Sequence, residues 1–585
     1  MSPLATSAPK LDRHREVGVV ESSAAIDVLL KLRRSTSTLS LEAFLAGERR
    51  FVDREGLAAR HGASSTDIEA VRTWATQQGL TVSRVHAPSR SMFVRGSAEL
   101  MTKAFAIELS TYRHADTDVE FRGHTNPVSL APALQDIVTG VFGLDSLPIV
   151  QPHSRLHPEA LTATQSDSDA SSASSLKERW PTTFFPQEVA RLYDFPTTSL
   201  GAGQRVAILE FGGAFDTEKL ESYWRLIGLD TSPTVNAHTV LGAKQDPQGA
   251  AVGETYLDIE VVGAMAPEAV IDVYFAPFSS AGYLAAIDAA IHNHDYAAIS
   301  ISYGMTEDAP DFWSSFHQEI DKAFHDAAML GIPVFASAGD NGSGNARRLL
   351  DGEVVTPVSS EAHASYSAAS PYATACGGTQ LYATDDRILN EVVWNEQVEH
   401  QDDSNPYYSG GATGGGVSDH YDVPSYQSSA GLAPKSANPD GKTGRGLPDV
   451  AGNAGSTTGY LVTQPPGAQV PVGPVGGTSA VAPMWAALMA RVRGSLASTP
   501  DPFFFNDFLY DVADSDAFRA VVQGADYSSA TPTFVVPTFT PTGNNRSATV
   551  EGYTAADGYD LCTGLGSPHG ANLLAQLEAW LRDRS

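Results

Sequence analysis

Between residues 205 and 336 the chain alternates two hydrophobic patterns. Short, unbroken apolar runs read as strands buried on both faces: Arg205–Leu209 (RVAIL), Val270–Tyr274 (VIDVY), Ala298–Ile301 (AISI) and Pro333–Ala336 (PVFA). Longer stretches, Thr255–Ala264, Ala281–His292 and Asp311–Leu330, read as helices. Strand and helix in this rhythm predict an α/β fold, a parallel sheet with helices on both faces. In such sheets the active site lies at the carboxyl ends of the strands.

Residues 20–150 carry a different pattern. Ser65 is placed to cap a helix whose apolar positions Ile68, Val71, Trp74 and Ala75 share one face and which ends at Gly79. Strand-like runs follow at Thr81–Val85 and Met92–Arg95, then a helix from about Ser97 to Phe105, which suits a small α+β sandwich. From Pro158 to Ser175 the chain reads PEALTATQSDSDASSASS, polar, small and aperiodic. Such a stretch buries too little apolar surface to offset its ordering entropy, so it is expected to be a flexible, protease-sensitive linker. The expected division is 1–155 for a first domain, 156–178 for the linker and 179–585 for the main domain.

Composition narrows the function classes. At 585 residues, at least two domains are expected. A formal charge of -30 argues against nucleic acid or an anionic membrane surface as partner, and suits an acidic working environment. The two cysteines, Cys376 and Cys562, cannot make a disulfide framework and are expected as buried thiols. No window approaches 18 consecutive apolar residues, and the N-terminus lacks the apolar run of a signal peptide.

Three local signals carry chemistry. Gly476-Gly477-Thr478-Ser479-Ala480 leads into an apolar helix, so Ser479 sits where a helix N-terminus favours developing negative charge. Glu254 and Asp258 are spaced i, i+4, which puts both carboxyls on one helix face; repulsion is relieved if they share a proton. Asp340 follows an apolar strand in ASAGDNG, where a protonated carboxyl could donate to an oxyanion. Each also has a plain structural reading: a capping serine, two solvated acids, an Asp turn. No histidine sits in a helix start that would suit a Ser-His-Asp hydrolase.

Taken together, GETYLDIEVVGAMAP (253–267), SISYG (300–304), ASAGDNGS (336–343), GGATGGGVS (410–418), GRGLPDVAGNA (444–454), GGTSAVAP (476–483) and CTGLGSP (562–568) resemble the sedolisin family of serine-carboxyl peptidases, in its kumamolisin-like branch. The first part, including DREGLAARHGAS and MFVRGSAELMTKAF, is similar to that family's propeptide. The resemblance implies a subtilisin-like sheet preceded by a ferredoxin-like prodomain. It implies Ser479 as nucleophile, Glu254 as base, Asp258 as its partner and Asp340 as oxyanion donor, with Glu210 and Tyr303 extending the acid network. Tyr303 stands where such members carry Trp.

Extended substrates are expected along Ser302 and Gly304, with the glycine-rich wall at Gly414 and Gly415 opposite. The family pattern also implies a calcium site, matched by Val521, Gly558 and Asp560. Ala520 stands where an Asp ligand belongs, so the site looks degraded; no organic cofactor is implied. The resulting expectation is a monomeric, self-processing endopeptidase working in acid, extracellular or in an acidic compartment. Its partners would be protein or peptide substrates and its own propeptide, which acid would release by weakening carboxylate contacts. The alternative is a catalytically silent binding protein on the same scaffold.

Overall fold

The computed structural model describes the chain except residues 1–10, 12–14, 36–39, 114–119, 148, 158–171, 250, 308–314, 345–360, 397–410, 467, 469–470, 525–532, 539–545 and 585. The linker read at 158–175 therefore lies, up to residue 171, outside the described residues. In the first unit the elements are β1 (Ala25–Leu32), α1 (Arg54–His61), α2 (Ser65–Gln77), β2 (Thr81–His86), β3 (Ser91–Ser97), α3 (Ala98–Phe105) and β4 (Val138–Phe142). The four strands form an antiparallel sheet in the order β2-β3-β1-β4. Period-two alternation gives this sheet two apolar faces. Ile26, Val28 and Leu30 of β1 pack with Val71, Trp74, Met101 and Phe105 in the unit's own core, whereas Leu29, Phe93 and Phe142 join the main core. The cap of α2 is Ser64, not Ser65: Ser64 is extended and its side chain accepts from the Asp67 amide, while Ser65 is already helical.

The main unit contains β5 (Arg205–Phe211), β6 (Thr234–Thr239), α4 (Val252–Met265), β7 (Val270–Ala276), α5 (Ser280–Asn293), β8 (Ala298–Ile301), α6 (Ser315–Met329), β9 (Val334–Ser337), β10 (Thr374–Ala383), β11 (Ile388–Val393), β12 (Val450–Asn453) and α7 (Val481–Ser495). Eight strands pair in the order β6-β7-β5-β8-β9-β10-β11, with β12 beside β10. Every ladder is parallel except β10 with β11. Helix α4 packs with α7, and α5 with α6, as layers flanking the sheet. Cys376 and Cys562 are buried free thiols.

The first unit lies on α5 and α6, and buried ion pairs join the two units. Lys31 meets Asp288 at 2.7 Å, Arg34 meets Asp326 at 2.8 Å, and Arg90 meets Glu319 at 3.1 Å. Arg49 grips Asp507 through two contacts of 2.6 Å. Burial pushes Glu319 up, but Lys322, Arg90 and Lys31 outweigh it and hold its pKa at about 2. Burial of Asp326 is likewise overcome, by Arg34, a hydrogen bond from His61 and Arg90, leaving it below the usual carboxylate range. Glu319 and Asp326 stay charged through mild acid, so these two do not supply the weakening in acid expected of the interface carboxylates.

Lys31 is fully buried and donates to Asp288, to the Ser89 carbonyl and to the Ser91 hydroxyl. Lys31→Met leaves Asp288 without its cation, and should loosen docking in the Ser479→Ala protein by about 3–5 kcal/mol. The double variant Lys31→Met/Asp288→Leu should recover most of that loss in chemical denaturation. A single variant as stable as the parent would refute this reading of the interface.

Candidate active site

Three strand ends and two helices converge on one cleft. Glu210 ends β5, Ser302 and Tyr303 follow β8, and Asp340 lies just past β9. Helix α4 supplies Glu254 and Asp258. Ser479 lies in a one-turn 3-10 segment, Thr478–Ala480, that leads into α7. Gly477 before it has φ of 101°, a conformation other residues resist. A Cβ there would also lie 2.8 Å from Asp340 Oδ2. All the acids named here, and Ser479, are buried.

The acids form a chain. Tyr303 Oη donates to Glu210 Oε2 at 2.8 Å, and Thr255 Oγ1 donates to the same oxygen at 3.1 Å. Ser302 Oγ donates to Asp258 Oδ1 at 2.9 Å. Burial raises Glu210 well above its ordinary pKa, and the Glu254 charge adds to it; the same two causes raise Asp258, with Glu210 contributing. Burial lifts Glu254 to about 8, against the pull of the Ser154 and Ser479 hydroxyls. Both hydroxyls lie near Glu254, yet neither of its oxygens completes a hydrogen bond of good geometry. Ser479 Oγ donates instead to the Ser302 carbonyl at 3.1 Å. Such contacts commonly tighten only when the reaction begins. Asp340 Oδ1 accepts from the Thr478 amide at 2.8 Å and its hydroxyl at 2.9 Å.

The cleft is filled by the chain itself. Gln151–Pro152 pairs antiparallel with Tyr303–Gly304, and Arg155–Leu156 pairs antiparallel with Val475–Gly476. Between them the His153 amide donates to the Ser302 carbonyl at 3.1 Å, and the His153 carbonyl accepts from the Ser479 amide at 2.8 Å. The His153–Ser154 peptide thus lies across the serine. The imidazole of His153 is buried, its Nδ1 2.8 Å from Ser337 Oγ. Arg155 reaches within 3.6 Å of Asp340 Oδ2 and donates to Asn341 Oδ1 at 2.9 Å.

Sequence reasoning missed His153, Ser154, Arg155 and the Val475–Gly476 edge. Their one visible signal was VGPVGG, an apolar run just before the serine. Ser302 and Gly304 do line the cleft chain; a Cβ on Gly304 would meet His153 at 2.5 Å. Gly414 and Gly415 instead press on backbone, where a Cβ would fall 1.9 Å from the Ala338 carbonyl and 2.0 Å from the Leu561 carbonyl. Close backbone packing leaves no room for a side chain at these two positions.

The C-terminal loop does not suit a calcium ion. Asp560 Oδ1 accepts from the Cys562 and Thr563 amides, each at 2.8 Å, and Oδ2 accepts from the Ala556 amide and the Thr563 hydroxyl. Its lone pairs are spent on fixing the loop and Ala520 brings no carboxylate, so Val521 and Gly558 could add only main-chain carbonyls. Calcium asks for six or more oxygens, charged ones preferred.

The chain is similar to known proteins along most of its length. Residues 15–147 match the Pro-kumamolisin activation domain family. The chain is 37% identical to kumamolisin of a Bacillus species, across 96% of this chain and 93% of that one. It is 25% identical to a tripeptidyl-peptidase of Aspergillus fumigatus, across 92% of this chain and 89% of that one. Among solved structures, a Pseudomonas sedolisin, a serine-carboxyl proteinase complexed with two molecules of pseudo-iodotyrostatin, superimposes with a TM-score of 0.53 at 26% identity. That match covers 68% of this chain and 98% of the other.

Buried neutral acids set a pH dependence of stability. Burial raises Glu254 and Glu260 to about 8, Glu307 to about 7 and Asp321 to about 6, from 4.5 for Glu and 3.8 for Asp. The folded chain therefore keeps protons that the unfolded chain sheds, and stability falls as pH rises from the unfolded values toward 8. Glu319 works oppositely, losing its contribution below about pH 4. Calorimetry of the Ser479→Ala protein should find its highest melting midpoint near pH 4–5 and a decline toward pH 8. A midpoint rising steadily to pH 8 would contradict this assignment.

Proposed function

The chain belongs to the sedolisin family of serine-carboxyl peptidases, with a propeptide of the kumamolisin type, and from that premise we propose an acid-acting endopeptidase that processes itself. The observation that carries the reading is the His153 carbonyl, 2.8 Å from the Ser479 amide at the end of a strand-paired segment. A substrate carbonyl lies there when its bond is about to be cut. Glu254 takes the Ser479 proton as Oγ attacks that carbon, and the oxyanion is held by the Ser479 amide and a protonated Asp340. Glu254 then hands the proton to the leaving amine, and water hydrolyses the ester.

Acid is needed at two points. Glu210, Asp258 and Glu254 are too close and too buried to ionise together, so a single charge belongs on Glu254, beside the serine, while its neighbours hold protons. Asp340 must be protonated to donate, and the Arg155 guanidinium at 3.6 Å opposes that while the 151–156 segment is seated. When that segment leaves, water re-enters and the desolvation that lifts Glu254 declines, so it ionises in acid and serves as base. Residues 1–155 act as an intramolecular inhibitor, and later trimming falls in the 156–178 linker. The extended pairing of residues 151–156 with two edges supports internal bonds as substrates, as opposed to tripeptide release from a free N-terminus. The family likeness and acid chemistry together support an extracellular or acidic compartment. Among the described residues, no helix is long and apolar enough to cross a membrane.

Purified protein brought to pH 4 should yield a first fragment beginning at Ser154, identified by N-terminal mass spectrometry. Ser479→Ala should lower turnover and processing by roughly 10⁵–10⁶-fold. Processing that survives Ser479→Ala, or an activity optimum near neutrality, would overturn the proposal. An acyl probe that labels Ser479 in acid separates the enzyme from a silent scaffold.

A further inference from the structure

Histidines gather where the first unit meets the main unit. His61 of α1 lies against His325 of α6, rings 5.8 Å apart and stacked. His86 of β2 lies against His292 of α5, rings 5.4 Å apart and edge-on. One of the four is fixed as neutral by its partner. His325 Nδ1 is 3.3 Å from Arg34 Nη2, and a guanidinium can only donate, so Nδ1 must accept. His86 Nδ1 lies 2.8 Å from the Ser89 hydroxyl, which can donate or accept, and 3.3 Å from the Ser89 amide. Protonation of His325 Nδ1 breaks its bond and leaves two donors facing each other.

The surroundings punish the added charge. Around His325 stand Arg34, His61 and Arg90 from the first unit, and Asp326, Glu319, Lys322 and Tyr372 from the main unit. Asp326 already binds Arg34 and His61 through Oδ1 and faces Arg90 through Oδ2. Around His86 and His292 stand Lys31, Arg84, Asp288, Asp326 and, across a cleft of about 200 Å³, His238. Asp288 is engaged by Lys31 and Ser91. The cleft gives protons a route to this pair. His61, His325 and Asp326 also bring ligand atoms within 4.8 Å of one another, a metal-like spacing. Two guanidiniums on the same carboxylate make a cation unwelcome there.

We propose that His325, held neutral across the prosegment interface by Arg34, forms with the facing pair His86 and His292 the latch that acid opens. Burial, with Arg34 second, lowers His325 to about 3, and burial lowers His292 to about 4, from 6.5; burial also lowers His86. The docked state binds fewer protons than the undocked one. Docking is therefore at full strength above pH 6.5 and weakens as pH falls toward those lowered values, about tenfold per unit for each histidine. Glu319 and Asp326, which keep their charge in mild acid, contribute to the affinity on which this loss acts.

The latch rests on residues 1–155 being an inhibitory prosegment, but its test reads docking and not hydrolysis. The Val52 amide donates to the Met329 carbonyl across the interface at 3.1 Å, so its hydrogen exchange in the full-length Ser479→Ala protein reports undocking. Its protection, corrected for intrinsic exchange, should fall as pH drops below 6.5. Adding His86→Gln and His325→Gln should restore protection at pH 5 by about thirtyfold or more. If that protein fails to fold, His325→Gln alone should give about thirtyfold, since Gln can still accept from Arg34. An unchanged pH dependence in the folded variants would sink the latch. So would loosening by a chelator at constant pH, which would make the trio a metal site. Neither result would touch the peptidase assignment, which stands or falls with Ser479.

Discussion

A carboxyl group removed from water must keep a proton, find a cation or collect donors, because an isolated buried anion costs far more than a fold can supply. Most of this molecule's functional anatomy follows from which solution each acid takes. Helix α4 is buried on every side, so Glu254, Asp258 and Glu260 have no solvent-facing stripe to occupy. Glu260 is served by the Thr463 amide. Glu254 and Asp258 are given hydroxyls and each other, and so keep protons. Asp326 and Glu319, equally buried, are given guanidiniums and ammoniums and so keep charge.

These two solutions divide the molecule's labour. In the proposed mechanism, proton-holding acids make the cleft reactive in acid, since a carboxyl that stays neutral can donate and a lone ionised neighbour can act as base. Asp326 and Glu319 hold their charge over the same range. A sensor was therefore required of a third residue type, and histidine is the one whose ordinary titration spans mild acid. Arg155 couples the halves: the segment that occupies the cleft also brings a cation to Asp340, so inhibition is electrostatic as well as steric.

What the sequence disclosed depended on whether the cause was local. Runs such as RVAIL and AISI announce buried strands because burial on both faces needs unbroken apolarity, and β5 and β8 lie where those runs lie. The spacing of Glu254 and Asp258 was legible because helix geometry converts i, i+4 into proximity. The cleft segment was not legible. QPHSRL has no periodicity, and its extended form is imposed by the edges Tyr303–Gly304 and Val475–Gly476, far away in sequence. The low-complexity stretch after residue 157 drew attention because composition is visible, whereas the bond at the serine depends on tertiary placement. The interface histidines were equally hidden, since four residues from four elements share no pattern until the units dock. Asp560 shows the reverse error: its spacing suggested a ligand, but nearby amides had already claimed its oxygens.

The two proton-dependent regions have opposite signs, and this constrains the order of events. The docked interface resists protons on His325, His86 and His292, so falling pH works against docking. The cleft retains protons on Glu210, Asp258 and Glu254, so falling pH stabilises its folded form. A single acidification thus loosens the inhibitor while firming the machinery it covers. Were both regions to favour the same protonation state, acid would either lock the zymogen or unfold the enzyme. Burying the cleft acids beside hydroxyls and the interface acids beside cations separates those responses within one chain.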